Sequence, residues 1–194
     1  MSKNNWAFFC SFWGKNAKDI MEAALKGGLK NSNISLLVYE SEPCGAAELA
    51  KANNIDTLFI NKVNFSSSIE YQNTILDELV KRNIDYIFLL GYQHLIQKNL
   101  LNAYPKKIVN IHPSLFPSFL ATKTAIQDAL AYGVKVTGIT THIIDHKFDR
   151  GIILYQEAIR VKKKDTLETL TPKFSAKGFK LIIKTIKKME KLEK

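Results

Sequence analysis

Asn110 and His112 lie two residues apart in the run Ile-Val-Asn-Ile-His, which alternates apolar and polar side chains. Residues i and i+2 of a strand point to the same face, so an amide and an imidazole project side by side. Pro113 follows and stops the strand. An amide N–H can donate to an oxyanion, and an imidazole can move a proton near neutral pH. His142 belongs to a second strand-like run, Gly-Ile-Thr-Thr-His, and Asp149 comes just before Gly151, on a tight loop. Singly, each has a plainer reading: a solvated strand asparagine, a structural histidine, a turn-forming aspartate. Together in one short run they read as a site that stabilises an oxyanion and passes on a proton.

Elements of two kinds must position them. Trp6–Cys10 is a short apolar run, a first buried strand. Ser11-Phe12-Trp13-Gly14-Lys15-Asn16 follow, then a helix from Ala17 to Lys26 that Gly27-Gly28 end. Strand, small loop and helix present backbone N–H groups to a phosphate, although an ordinary βα turn has the same pattern. Ile34–Tyr39 and Thr57–Ile60 are further strands, with a helix Ala46–Asn53 between them. Ser66, Ser67 and Ser68 with Glu70 start a helix carrying Ile75, Leu79 and Val80. The fully apolar strand Tyr86–Leu90 ends at Gly91, and Tyr92-Gln93-His94-Leu95-Ile96 leave it. A helix over 124–132, strands Val136–Ile144 and Ile152–Val161, and an amphipathic helix from Thr166 complete the chain. This alternation predicts an α/β fold: a doubly wound, mostly parallel sheet with helices on both faces. Ligands of such sheets bind beyond the carboxyl ends of the strands.

A length of 194 residues suits one domain over 1–194 with a sizeable core. No run approaches the roughly 20 apolar residues of a membrane span, and the N-terminus has no signal-peptide pattern. Cys10 and Cys44 define neither a disulfide framework nor a zinc spacing, so a reducing cytoplasm and no metal are expected. The net charge of +10 comes largely from lysines near the C-terminus, which a helix would spread over a solvated face opposite Leu181, Ile182, Ile183 and Ile186. An RNA-binding module is the competing reading of that charge, but its aromatic-basic motifs are missing.

Three linked motifs carry a family resemblance. They are Asn110-Ile111-His112-Pro113-Ser114-Leu115-Phe116-Pro117, Gly138-Ile139-Thr140-Thr141-His142 and Asp149-Arg150-Gly151-Ile152-Ile153-Leu154-Tyr155-Gln156. In this order they resemble the folate-dependent formyltransferases. The resemblance implies a Rossmann-like sheet and transfer of a formyl group from N10 of 10-formyltetrahydrofolate to a small-molecule amine. It implies glycinamide ribonucleotide of purine synthesis as the first acceptor to expect. Asn110 and His112 would donate to the tetrahedral oxyanion, Asp149 would hold His112 or a bridging water and relay the proton, and His142 would order the network from behind. Tyr92, Gln93, His94, Leu95 and Ile96, with Ile144 and Asp145, would wall the pteridine. Ser11, Gly14 and Asn16 match the family loop that cradles the acceptor's phosphate, with Lys15 beside them. Phe12 and Trp13 stand where that loop has small or polar residues, the family's phosphate-side arginine falls at Ser68, and its ribose-side glutamate at Gly178. A different amine, such as an amino sugar nucleotide, is therefore the second expectation. The partners expected are folate and the amine, with no membrane or nucleic acid, in a monomer or homodimer.

Overall fold

A computed structural model describes residues 3–146 and 151–192. Its strands are β1 (Asn4–Cys10), β2 (Ser32–Tyr39), β3 (Asp56–Phe59), β4 (Tyr86–Leu89), β5 (Ile108–His112), β6 (Val136–Ile143) and β7 (Ile153–Arg160). Its helices are α1 (Lys15–Leu25), α2 (Gly45–Ala52), α3 (Ser68–Lys81), α4 (Lys98–Ala103), α5 (Ala125–Tyr132) and α6 (Leu167–Leu192). The strands form one sheet in the order β3-β2-β1-β4-β5-β6-β7. The first five pair in parallel, and β6 and β7 are antiparallel. The doubly wound, mostly parallel architecture expected from the sequence is the one observed.

Period-two side chains explain how the sheet is covered. Trp6 and Phe8 of β1 pack on one face with Ile20 and Met21 of α1 and Ile182 and Ile186 of α6. Ala7 and Phe9 face the other way, against Tyr71, Ile75 and Leu79 of α3. Strands covered on both faces must be apolar throughout, which is why Tyr86–Leu89 has no polar alternation. α3 starts as its serines suggest: the Ser67 hydroxyl accepts from the Glu70 N–H, and the Glu70 carboxylate accepts from the Ser66 N–H.

Lys180, Lys184, Lys187 and Lys191 of α6 are exposed, as a solvated face requires, and some lysines of this face also make contacts. Lys184 and Lys188 place their ammonium groups 4.4 and 4.8 Å from the Tyr155 ring centre. Lys177 donates to Glu157 and to the Ala158 carbonyl. Part of the basic face thus holds α6 onto β7. α4 and a single 3-10 turn, Lys62–Asn64, are elements that sequence periodicity did not show. Both are too short for a repeat of 3.6 to register.

Winding to both sides of β1 leaves a crevice between the carboxyl ends of β1 and β4. Ser11 and the loop to Asn16 leave β1 there, and Gly91 to Gln97 leave β4. The next strand, β5, carries Asn110 and His112 to the same edge.

Candidate active site

β5 pairs with β6 so that Asn110 faces His142 and His112 faces Thr140. Opposed residues of an antiparallel pair share a face, so all four project to one side. The Asn110 amide nitrogen lies 3.3 Å from His142 Nε2. An amide nitrogen only donates, so Nε2 accepts and the proton of a neutral His142 ring sits on Nδ1. His142 is fully buried, and it fixes the rotation of the Asn110 amide. The second amide hydrogen of Asn110 remains for the cavity that Asn110 lines. His112 lines the same cavity. Its Nε2–H donates to the Phe119 carbonyl at 2.9 Å.

The loop after His112 is tied down by β6 and β7. Thr140 Oγ1 donates to the Ser114 carbonyl at 2.7 Å and accepts from the Phe116 N–H at 3.1 Å. Gln156 Nε2 donates to the Phe116 carbonyl and to Thr140 Oγ1, both at 3.1 Å. The Phe116 ring is thereby set between two imidazoles, 5.3 Å from His112 and 4.9 Å from His142. Beyond it the chain turns through left-handed conformations at Phe119 (φ 52°) and Ala121 (φ 56°).

Asn110 and His112 open onto a cavity of about 900 Å³. Tyr92, Gln93, His94, Leu95 and Ile96 form one wall, and Ile144, Asp145 and His146 contribute another. A pocket of this size, apolar with a few convergent polar groups, suits a cofactor-sized organic molecule. Asp149 lies outside the described residues. Among the described residues no group of three His, Cys, Asp or Glu side chains could hold a metal ion.

Of the residues expected at the acceptor loop, Asn16 lines the cavity. Ser11 is buried, and its hydroxyl donates to Glu40 at 2.5 Å and accepts from the Gln93 N–H at 3.0 Å. Lys15 pairs with Asp19 at 2.7 Å and faces a side groove shared with Thr171 and Ser175 of α6. Gly14 has φ 67°, and a Cβ there would sit 2.8 Å from both Ala46 Cβ and Cys10 Sγ. Only glycine fits this turn. Phe12 and Trp13 do not line the cavity. The Trp13 ring lies on Gly45 of α2, and the Lys18 ammonium of α1 is 5.9 Å from its centre. The N-terminus of α1 has no side-chain cap and no acidic residue in its first turn, leaving N–H groups for an anion. Beneath the loop, Cys10 and Cys44 are both buried free thiols, and Cys44 Sγ donates to the Trp13 carbonyl at 3.8 Å.

Besides Phe174, α6 lines the cavity with Thr171, Ser175 and Gly178, which were not singled out from sequence as one wall. Their spacing of four and three residues gives one small-residue helix face, a signal available in the sequence. Glu40 was also missed.

The family model described as formyl transferase matches residues 4–186. A phosphoribosylglycinamide formyltransferase of Bacillus subtilis is 36% identical over 165 residues, covering 85% of this chain and 84% of that protein. A chloroplastic phosphoribosylglycinamide formyltransferase of Arabidopsis thaliana is 34% identical over 185 residues, covering 93% of this chain. The match spans 63% of the plant protein's length. The crystal structure of phosphoribosylglycinamide formyltransferase from Bacillus halodurans superposes with a TM-score of 0.92 at 34% identity, covering 98% of this chain and 97% of that one.

Proposed function

The chain belongs to the formyl transferase family, and on that premise we propose that it moves a formyl group from 10-formyltetrahydrofolate to the amine of glycinamide ribonucleotide, in purine synthesis. One observation carries this reading: Asn110 and His112, side by side on β5, open onto the same cavity as the Tyr92–Ile96 segment. The pteridine lies between that segment and the residues from Ile144, which brings the formyl carbon to β5. The amine attacks this carbon and its oxygen becomes an oxyanion. Asn110 donates its second amide hydrogen to that oxygen. The His112 Nε2–H, which donates to a carbonyl oxygen in the free protein, redirects its hydrogen bond to the same anion. His142 holds Asn110 in position. The C–N10 bond then breaks, and the proton lost by the amine reaches N10 through Asp149 and a water. The products are the formylated amine and tetrahydrofolate. No step needs a covalent nucleophile or a metal. The reaction belongs to the cytoplasm, and the chain acts as a monomer or homodimer.

The acceptor's phosphate fits the uncapped N-terminus of α1, beside Asn16. Its ribose lies towards α6, where Gly178 offers no carboxylate. The missing arginine and glutamate are two charge-assisted hydrogen bonds, together weakening binding by about two to four powers of ten. Glycinamide ribonucleotide is therefore expected to be turned over with a high Michaelis constant. A Cβ at Gly178 would meet only Ile139 Cδ1 at 3.6 Å and Ile111 Cδ1 at 3.7 Å, which is ordinary contact. Gly178→Glu is thus expected to fold and to lower that constant about ten- to a hundred-fold. The test is folate turnover, followed spectrophotometrically, against a panel of amines that includes an amino sugar nucleotide. Turnover with the sugar nucleotide alone would move the assignment to that acceptor. No turnover with any amine would end it.

A further inference from the structure

The segment Gly91–Gln97 forms a wall of the cavity without belonging to any helix or strand. No backbone ladder sets its position, so side chains from other elements must. Its far end rests on α3: fully buried Gln72 donates to the Leu95 carbonyl and accepts from the Gln97 N–H, each at 2.7 Å. Its near end rests on Glu40, the first residue after β2. One Glu40 oxygen accepts from Ser11 Oγ at 2.5 Å, and Ser11 Oγ accepts in turn from the Gln93 N–H at 3.0 Å. The other oxygen pairs with His94 Nε2. The His94 ring is also packed edge-on by Tyr71 and Tyr92, whose hydroxyls are bonded to each other at 2.8 Å.

The Glu40 side chain is 11% exposed and that of His94 27%. A carboxylate so enclosed is held in one rotamer by its partners, because any other leaves it unsatisfied. Sheet order makes the link possible: β2, β1 and β4 are successive neighbours, so Glu40, Ser11 and Gln93–His94 meet at one edge. Ser11 also begins the loop that leads into α1, whose second residue is Asn16.

We infer that Glu40 is a positioning residue that fixes the folate-facing wall and ties it to the acceptor loop. It touches neither substrate. This role rests on the formyl-transfer reading. Without Glu40, the wall loses its near support, and folate binding falls while the groups on β5 stay in place.

The experiment compares the full chain with Glu40→Ala and Glu40→Gln, using 10-formyltetrahydrofolate and the best acceptor. Glu40→Ala is expected to raise the folate Michaelis constant at least about tenfold with kcat within about threefold. Glu40→Gln keeps an acceptor for Ser11 and a partner for His94, and is expected to stay within about threefold of wild type in both. In the ligand-free protein, exchange of the Gln93 amide should speed up at least about tenfold in Glu40→Ala. A purely structural loss would lower the melting temperature with no such selective change. Unchanged folate KM in Glu40→Ala overturns the role alone, as does unchanged exchange at Gln93. Failure of the wild-type chain to turn over folate overturns the formyl-transfer reading and this role with it.

Discussion

Asn110→Ala is expected to cut formyl transfer by about a hundred- to a thousand-fold in kcat, the usual cost of one oxyanion donor. The amide is ready before any substrate arrives: β5 aims it, and His142 takes one of its hydrogens at 3.3 Å. His112→Ala is expected to cost at least about a hundred-fold, since it removes the second donor to the same oxygen. The two act on one charge, so the double variant should lose less than the product of the single losses. Asp149→Asn tests the proton relay separately and should also cost about a hundred-fold or more. Asn110→Ala leaves buried His142 Nε2 without its amide donor, so about 1–3 kcal/mol of stability should go too. Rates must therefore be measured well below the melting point. Single-turnover rates within a few-fold of wild type for any two of these variants would sink the mechanism.

Gly138→Ala should be strongly damaging for a change of one methyl group near the site. Gly138 lies on β6, paired with Ala158 of β7. A Cβ there would stand 2.3 Å from the Glu157 carbonyl oxygen and 2.7 Å from two carbons of Leu115. The first contact is with backbone, which cannot rotate away, so either β7 or the Ser114–Pro117 loop must move. Overpacking of this kind costs about 1–3 kcal/mol, occasionally more, which for a chain of this size is several degrees of melting temperature. Activity should fall as well, by at least about tenfold, because a small misplacement of catalytic groups is costly. The same loop carries Phe116, whose ring lies against both His112 and His142. Thermal unfolding and kcat together decide the matter. An alanine variant as stable and as active as wild type would show that the loop and β7 have slack that these distances deny.

Local signals determined a great deal here. Strand alternation is a property of neighbouring residues, so Asn110 and His112 could be put on one face from five letters of sequence. Alternating apolar runs and amphipathic stretches required a doubly wound sheet, and that sheet placed the candidate segments at its carboxyl edge. All seven residues named for the folate wall line one cavity. Only the tertiary structure decided which distant residues meet. The Asn110–His142 bond depends on the register of β5 against β6, and a slip of one residue would turn His142 to the other face. Lys15 and Trp13 were named as neighbours of Asn16, but one turned to Asp19 and the other to Gly45. Glu40 follows a buried strand with no motif around it. It gained its place because β2, β1 and β4 lie side by side, and sequence separation says nothing about that adjacency. Helical periodicity likewise showed that α6 has a buried face without showing which residues front a cavity. Periodicity records how often a side chain turns inward; only packing fixes what it meets there.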